Sequence, residues 1–548
     1  MNRSNGDAGN RSIAAGADFL QLNIAEAPAG RMSEWLADRL RHAIADGSLP
    51  VGSRLPATRV LAGELRVSRG VVTEAYQRLT EDGHVVGRRR GGTIVVAAPL
   101  TTPQASARPA GPGVVKRGSS PGPLLREPER RRVAGGPGAA EDPEPEALFT
   151  ARPGPDVFDA LRAAPARIDL SPGVPDLAAF PRTAWLRTER AVLNDLFARD
   201  LGYGDPRGAP ELRRAVADWL ARNRGFRPDP DEVLVTSGTA QALGLLGQVL
   251  HGDGVRAMAV EDPCSLGARQ HLHQHRLTTP PVPVDGDGVR VDALRATGAP
   301  AVLLTPAHQF PTGVVLSGAR RRELMRWAVG EGGLVVEDDY DAEHRYDRPP
   351  VPALRSVLAE HVCYAGSVSK LLAPALRIGW MIAPRAYRGD LVDAKRYADL
   401  GNATLPQLVL ARLMDSGAME RHLRLLRRRH RQRRDAMIAA IRTHLPGAVV
   451  GGAAAGLHLT VMFGSRFDDT ALAAAALARG VKTQPLSWHR QSPGPPGLVL
   501  GYAAGTPTGI AEGVALLGAA LRGQTACGGR RAHSPSAKVP NRAGPVGR

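Results

Sequence analysis

Cysteine is scarce in this chain of 548 residues: Cys264, Cys363 and Cys527 are its only thiols. Three widely spaced cysteines cannot build a disulfide framework, so a small secreted scaffold is excluded and a reducing cytoplasm is the expected setting. Long apolar runs are missing as well. None reaches the roughly 18 residues that a membrane-spanning helix needs, and residues 1–30 have no basic stretch leading into an apolar core, so neither a membrane span nor a signal peptide is expected. Aromatic residues make up only 4%, yet hydrophobic residues reach 43% and charged ones 23%, which is too apolar for a wholly disordered chain. Acid is the minority charge, with 53 Asp and Glu against 71 Lys and Arg, a net of +18. That surplus points to an anionic partner, nucleic acid first and a membrane surface second, unless basic tails and an arginine bias account for it. The length implies two or three domains.

Residues 31–97 read as one small unit. Leu36, Leu40, Ala43 and Ile44 share one face of a helix from Ser33 to Ala45. A second helix runs from Pro56 through Leu65, and Ser68 can cap a third, with Val71, Ala75 and Leu79 on one side. His84–Val86 and Thr93–Val96 predict two strands around a turn that carries Arg88, Arg89 and Arg90. Three helices and a basic hairpin form a winged helix-turn-helix. In such a unit the N-terminal end of the third helix faces base edges in the major groove, which nominates Ser68, Arg69 and Thr73. Arg59 is placed for the backbone or a neighbouring base, and the three wing arginines for phosphate or the minor groove. A charged turn in a protein-interaction domain is the other reading, although three adjacent arginines repel unless an anion compensates them.

The rest divides by composition. Residues 1–30 lack a period, 98–165 are rich in Pro, Gly and Arg, and 523–548 form a basic tail without acid; all three are expected to be disordered, the second as a linker. Between them, 166–522 alternates short β-branched runs (Val233–Thr236, Ala301–Thr305, Leu334–Glu337) with helical patterns, as a mostly parallel sheet with helices on both faces would. The run Arg421–Arg434 carries Leu423 and Leu426 at helical spacing, so its arginines are expected to cover the exposed side of a long helix, with nonspecific DNA affinity as the alternative.

Lys370, in Gly366-Ser-Val-Ser-Lys370, carries the strongest chemical signal. Upstream, Glu337-Asp-Asp-Tyr340 ends an apolar strand, so Asp338 and Tyr340 face one side. Thr236-Ser-Gly-Thr239 follows a strand and opens a helix, where amides and hydroxyls can hold a phosphate. An amine for a Schiff base, a carboxylate for a pyridine nitrogen and a phosphate cradle are the parts a pyridoxal phosphate site needs.

These segments resemble fold-type I aminotransferases over roughly 165–520, with a smaller C-terminal α/β subdomain implied. The resemblance makes Lys370 the internal-aldimine lysine, Asp338 the pyridinium partner and Tyr340 the residue at the phenolic oxygen. It assigns Ser237, Gly238, Thr239, Ser367 and Arg377 to the phosphate, with Ser369 nearby. Tyr203, in Tyr203-Gly-Asp-Pro-Arg-Gly208, matches a loop that reaches the cofactor from a neighbouring subunit, and His308 lies where a contact to the ring oxygen is supplied. Ser265 stands where related regulators place a stacking aromatic ring. Arg490 is the candidate for an effector carboxylate, and no metal is expected.

Gly52-Ser-Arg-Leu-Pro-Ala-Thr-Arg59, Glu64-Leu-Arg-Val-Ser-Arg69 and Ala75-Tyr-Gln-Arg-Leu79 resemble the GntR-type winged helix, with Arg66 in place of the usual turn glycine and Gly70 in place of Asn or Thr. Joined, the halves are similar to the MocR subfamily of GntR regulators. That resemblance implies a homodimeric transcriptional regulator that binds double-stranded DNA at paired half-sites. It also implies that the regulator senses pyridoxal phosphate or an amino compound through its aminotransferase-like domain. An active aminotransferase with a DNA-binding head, or an architectural DNA binder, are the rival readings.

Overall fold

In the N-terminal unit, helix α1 (Met32–Ala45) buries Leu36, Ala37, Leu40, Ala43 and Ile44 at three- and four-residue spacings. They meet Leu61 and Ala62 of α2 (Thr58–Glu64) and Val72, Ala75, Tyr76 and Leu79 of α3 (Arg69–Glu81) in one core. Ala75 and Leu79 are buried as expected, but Val72 rather than half-buried Val71 is the fully buried valine of α3. Strands β1 (Val85–Arg88) and β2 (Gly92–Val95) pair antiparallel as the wing, with Val85 opposite Val95. Between α2 and α3 the turn places Arg66 at φ +53°, the left-handed region that normally selects glycine.

The computed structural model describes residues 22, 24–28, 31–45, 48–81, 84–88, 92–96, 145–150, 152–346, 351–464 and 467–531.

The large domain is built on an eight-stranded sheet. Its spatial order is Val233–Thr236, Gly379–Ile382, Val362–Ser367, Leu334–Asp339, Ala301–Leu304, Ala259–Asp262, Pro281–Asp285, Gly288–Val289. Most neighbours are parallel; Gly379–Ile382 and the short edge strand Gly288–Val289 run against theirs. Unbroken apolar runs form these strands because helices cover both faces. Val233 and Val235 pack with Trp219, Tyr364 and Trp380 on one side, and Leu234 packs with Met258, Val260 and Val336 on the other. The smaller subdomain carries an antiparallel sheet of Val449–Gly451, His458–Met462, Gly497–Gly501 and Gln484–Pro485. A separate parallel pair joins Val481–Lys482 to Ile168–Asp169. Among the described residues no helix is long and apolar enough to cross a membrane.

Three expected boundaries shift. The linker expected over 98–165 ends earlier, because α4 (Pro145–Leu148) and α5 (Val157–Ala163) are formed and packed. Phe149 stacks on Trp488 with ring centroids 5.3 Å apart, and Val157 and Leu161 are buried in the small subdomain's core. Residues 98–144 lie outside the described residues. In the segment expected to be disordered over 1–30, Ile24–Glu26 form a turn and Leu22 packs on the winged-helix core. The last helix, Pro507–Arg531, continues past the expected boundary at 523; no proline interrupts it before Pro535, and glycine costs a helix only about 1 kcal/mol. Residues 532–548 also lie outside the described residues.

Helix Ala418–His444 corrects a fourth expectation. Its arginines do not simply cover an exposed surface. Arg429 and Arg433 both reach Asp176, at 2.6 and 2.8 Å. Arg427 donates to the Glu343 carbonyl, Arg434 to that of Ala453, and Arg431 to that of Tyr346. The helix is bolted to the rest of the domain by the residues that looked like its solvent face.

Candidate functional site

Strand Leu334–Asp339 sorts its acids by the period-two alternation of a strand. Glu337 and Asp339 face fully buried Arg224, whose Nε lies 2.5 Å from Asp339 Oδ2, and Glu337 Oε2 accepts the Leu354 N–H at 2.8 Å. Asp338 turns the other way, into a cavity of about 550 Å³ that Tyr340 and Lys370 also line. Its enclosure, reinforced by Asp339 and Asp341, pushes the Asp338 carboxyl up to about 7. Oδ1 of Asp338 is enclosed and has no hydrogen-bond partner in the chain. Lys370 follows the buried strand end at Ser367, and its Nζ donates to the Gly173 carbonyl at 2.5 Å. Desolvation lowers the Lys370 ammonium below its ordinary range, opposed by Asp341 and Asp338.

Thr239 reaches the same cavity from the start of helix Thr239–Gly252. Before it, Gly238 sits at φ +84°, and Gly379 packs so closely that an added Cβ would lie 2.8 Å from Gly238 Cα. Arg377 donates to the Ser237 carbonyl. Ser237, Gly238, Thr239 and Arg377 are therefore one cluster at a helix N-terminus. Ser367 is buried opposite Gly379 across the strand pair, and Ser369 is half-buried beside Lys370.

A bracing network behind this loop escaped the sequence reading. Asn402 donates to Ser237 Oγ at 2.9 Å, and Gln241 accepts the Ser237 N–H at 2.8 Å. The buried Lys395 ammonium ties both together, donating to Gln241, Asp399 and Asn402. Only the Lys395–Asp399 spacing of four residues on one helix was visible in the sequence.

His308 is not on the cavity wall. Buried behind Tyr340, its Nδ1 lies 3.0 Å from the Tyr340 hydroxyl and 2.9 Å from Asp341 Oδ2, while the hydroxyl donates to the His308 carbonyl. It can orient Tyr340 rather than touch a ligand. Tyr203 does not line the Lys370 cavity within one chain: 96% exposed, it lines another groove with Asp205, Leu400, Asn402 and Arg412. Ser265 lines the cavity, where its Oγ accepts the Ala268 N–H and caps the next helix. The rings that do line the cavity are Phe158, Phe310, Tyr340, His458 and His489.

Arg490 corrects the carboxylate expectation. It does not line the cavity, because its guanidinium folds back over its own loop and donates to the Pro495 carbonyl at 2.7 Å. The sequence reading also missed Lys482, which lines the wall, and α5, whose Phe158, Leu161 and Arg162 close one side.

On the winged helix, Arg59, Ser68, Arg69 and Thr73 are all exposed. Arg69 Nε lies 3.4 Å from Thr58 Oγ1, which draws the starts of α2 and α3 together. Arg88 ends β1, without a description of its side chain, and Arg89 and Arg90 lie outside the described residues.

Comparison with known proteins agrees with both halves. Residues 166–514 match the aminotransferase class I and II family, and residues 32–95 match the gntR family of bacterial regulatory proteins. The probable rhizopine catabolism regulatory protein MocR of Rhizobium meliloti is 30% identical over 88% of this chain and 92% of its own length. This chain belongs to the MocR-type subfamily of GntR regulators. The HTH-type pyridoxine biosynthesis regulator PdxR of Corynebacterium glutamicum is 29% identical over 86% of this chain and 91% of its own. Among solved structures, the α-aminoadipate aminotransferase LysN of Thermus thermophilus superposes with a TM-score of 0.62 at 29% identity, covering 68% of this chain and 95% of that one. The MocR-type chain thus joins a DNA-binding gntR domain to a fold whose family depends on pyridoxal phosphate. Because whole-length likeness is to regulators and likeness to aminotransferases covers the large domain alone, the enzyme-with-a-head reading is not favoured.

Proposed function

We propose that the cavity at Lys370 binds pyridoxal phosphate, and that the cofactor or an amino compound meeting it there alters the binding of paired DNA half-sites by a homodimer. The observation that carries this reading is the pairing, in one cavity, of an amine with a lowered pKa and an enclosed carboxylate oxygen that lacks any partner. A pyridinium N–H is the donor that would satisfy Asp338 Oδ1. Bound there, the cofactor supplies an aldehyde that takes up amines and an electron-withdrawing ring. Lys370 holds it through Nζ, Asp338 keeps the ring nitrogen protonated, and Tyr340, steadied by His308, faces the phenolic oxygen. Ser237, Gly238, Thr239, Ser367 and Arg377 hold the phosphate at the helix N-terminus, with Ser369 alongside. Tyr203 and neighbouring Phe197 and Leu201, all strongly exposed, suit a surface that a second copy covers.

Arg59, Ser68, Arg69, Thr73 and the wing arginines Arg88, Arg89 and Arg90 are assigned to DNA. Helix α5, near the N-terminal end of the large domain, walls the cavity, so occupancy can act on the part of this domain that follows the winged helix in sequence. A ligand shifts DNA affinity only through different affinity for the two arrangements it selects between. The names of MocR and PdxR place those two proteins in rhizopine catabolism and in pyridoxine biosynthesis, and regulation of small-molecule metabolism of this kind supports a small-molecule effector here. Adding pyridoxal phosphate to the purified full chain should produce a visible absorption band that Lys370→Ala lacks. An unchanged band in that variant would refute the assignment.

A further inference from the structure

Three buried side chains from different elements meet behind Tyr340. His308 follows the strand Ala301–Leu304, Asp341 follows Leu334–Asp339, and His458 opens His458–Met462 of the small subdomain. Each is 1% exposed. One ring nitrogen from each histidine and a carboxylate oxygen of Asp341 all lie within 4.8 Å of one another. Among the described residues no other three His, Cys, Asp or Glu side chains come together in this way. The two imidazole rings have centroids 5.3 Å apart.

Their bonding capacity is not used up. Asp341 Oδ2 lies 2.9 Å from His308 Nδ1, and an imidazole is a full counter-charge only when protonated. His308 Nε2 is enclosed and has no partner in the chain. His458 Nε2 lies 3.2 Å from the Pro311 carbonyl, which can only accept, so this nitrogen carries the proton and Nδ1 keeps a lone pair. Burial, reinforced by His308, lowers the His458 imidazole to about 3, so the ring is neutral at ordinary pH. A neutral imidazole whose far N–H is held by a carbonyl is in the state that ligates metal ions. Gly456, at φ +82°, fixes the other two: an added Cβ there would collide with His308 Cε1 and lie 2.7 Å from Asp341 Oδ2. Side chains clamped by their surroundings make a ready coordination shell.

We propose that His308, Asp341 and His458 bind one divalent transition-metal ion of the zinc class, which ties the small subdomain to the large sheet. Two imidazoles and a carboxylate suit zinc and its neighbours in the series, whereas magnesium and calcium demand oxygen ligands. Tetrahedral zinc with bonds of about 2.1 Å holds its ligands about 3.4 Å apart, so completing the set takes shifts of roughly an ångström. His458 also lines the Lys370 cavity, which gives the ion a way in and a fourth position open to water. Tyr340 keeps its own anchor, because its hydroxyl donates to the His308 carbonyl rather than to the ring. The three positions share no motif, which is why the sequence led to no metal. The proposal does not rest on the cofactor reading.

The test uses the full chain, stripped with a chelator and dialysed against zinc. Bound metal is counted by elemental analysis, and melting temperature is read alongside. The unaltered chain should retain about one zinc ion and melt higher with zinc than with magnesium. His458→Gln and Asp341→Asn should each weaken zinc at least about 100-fold and remove the melting shift. His271→Gln is the control for surface chelation, since exposed His271 and His275 stand one helical turn apart. It should change neither readout; loss of the retained zinc in this control alone overturns the proposal. Should the two ligand variants not fold, cobalt(II) in the unaltered chain decides. It should give the intense visible band of a four-coordinate ion, which one equivalent of zinc abolishes. No retained zinc, no such band, or zinc held equally by the His458 and Asp341 variants overturns the proposal.

Discussion

Helix Ala418–His444 and the winged helix both look, in the amino-acid sequence, like places for an anion. In the helix, Arg429 and Arg433 share Asp176, and Arg427, Arg431 and Arg434 are spent on backbone carbonyls. On the winged helix, Arg59 and Arg69 are exposed and sit with Ser68 and Thr73 around the start of α3. The contrast separates charge density from charge availability. A guanidinium already holding acids and carbonyls adds to the fold, and one held toward solvent on a rigid helix end is free to meet phosphate.

The largest expected effect breaks the structural half of this contrast. Arg433→Met leaves buried Asp176 short of a counter-charge and should cost about 3 kcal/mol in urea unfolding of the full chain, with DNA affinity per folded molecule unchanged. Next comes the carboxylate that faces the cavity. Asp338→Asn should weaken pyridoxal phosphate binding roughly 10–100-fold, the worth of a charge-assisted hydrogen bond. Its pH dependence follows from the raised carboxyl. Below about pH 7 the unliganded protein holds Asp338 protonated, so cofactor affinity should fall as pH drops through that value, and Asp338→Asn should flatten the dependence.

Arg69→Ala should lower operator affinity about tenfold and reduce the slope of log affinity against log salt by about one, as loss of one phosphate contact would. Arg66→Gly relieves a left-handed non-glycine and should stabilise the winged helix by about 1 kcal/mol in thermal unfolding. The smallest effect sharpens the comparison from the other side. Arg424 and Arg428 are exposed on the long helix, and changing both to Gln should alter operator affinity by less than about twofold. A larger loss would make that helix a second DNA surface.

Much of this was legible because it is local. Strand alternation alone put Asp338 and Tyr340 on one side, and the strand-to-helix turn marked the cluster of Ser237, Gly238 and Thr239 at a helix N-terminus. What escaped was set by contacts distant in sequence. Residues 145–163 read as linker because their few apolar residues find Trp488 and the small subdomain's core more than 300 positions later. Arg490 looked like an effector's anchor, yet its side chain folds onto Pro495, and Lys482 had no motif around it. Lys395 braces the loop at Ser237 through Gln241 and Asn402, partners on other elements that no spacing reveals. The arginine run misled for the same reason, since its carbonyl partners carry no signature in composition.

The central claim is that the Lys370 cavity governs DNA binding. Footprinting the DNA that flanks the chain's own gene tests it most directly, with and without pyridoxal phosphate and with Lys370→Ala alongside. The account predicts protection of paired half-sites that changes with cofactor in the unaltered chain and not in the variant. Protection indifferent to the cofactor and to Lys370 alike would contradict it.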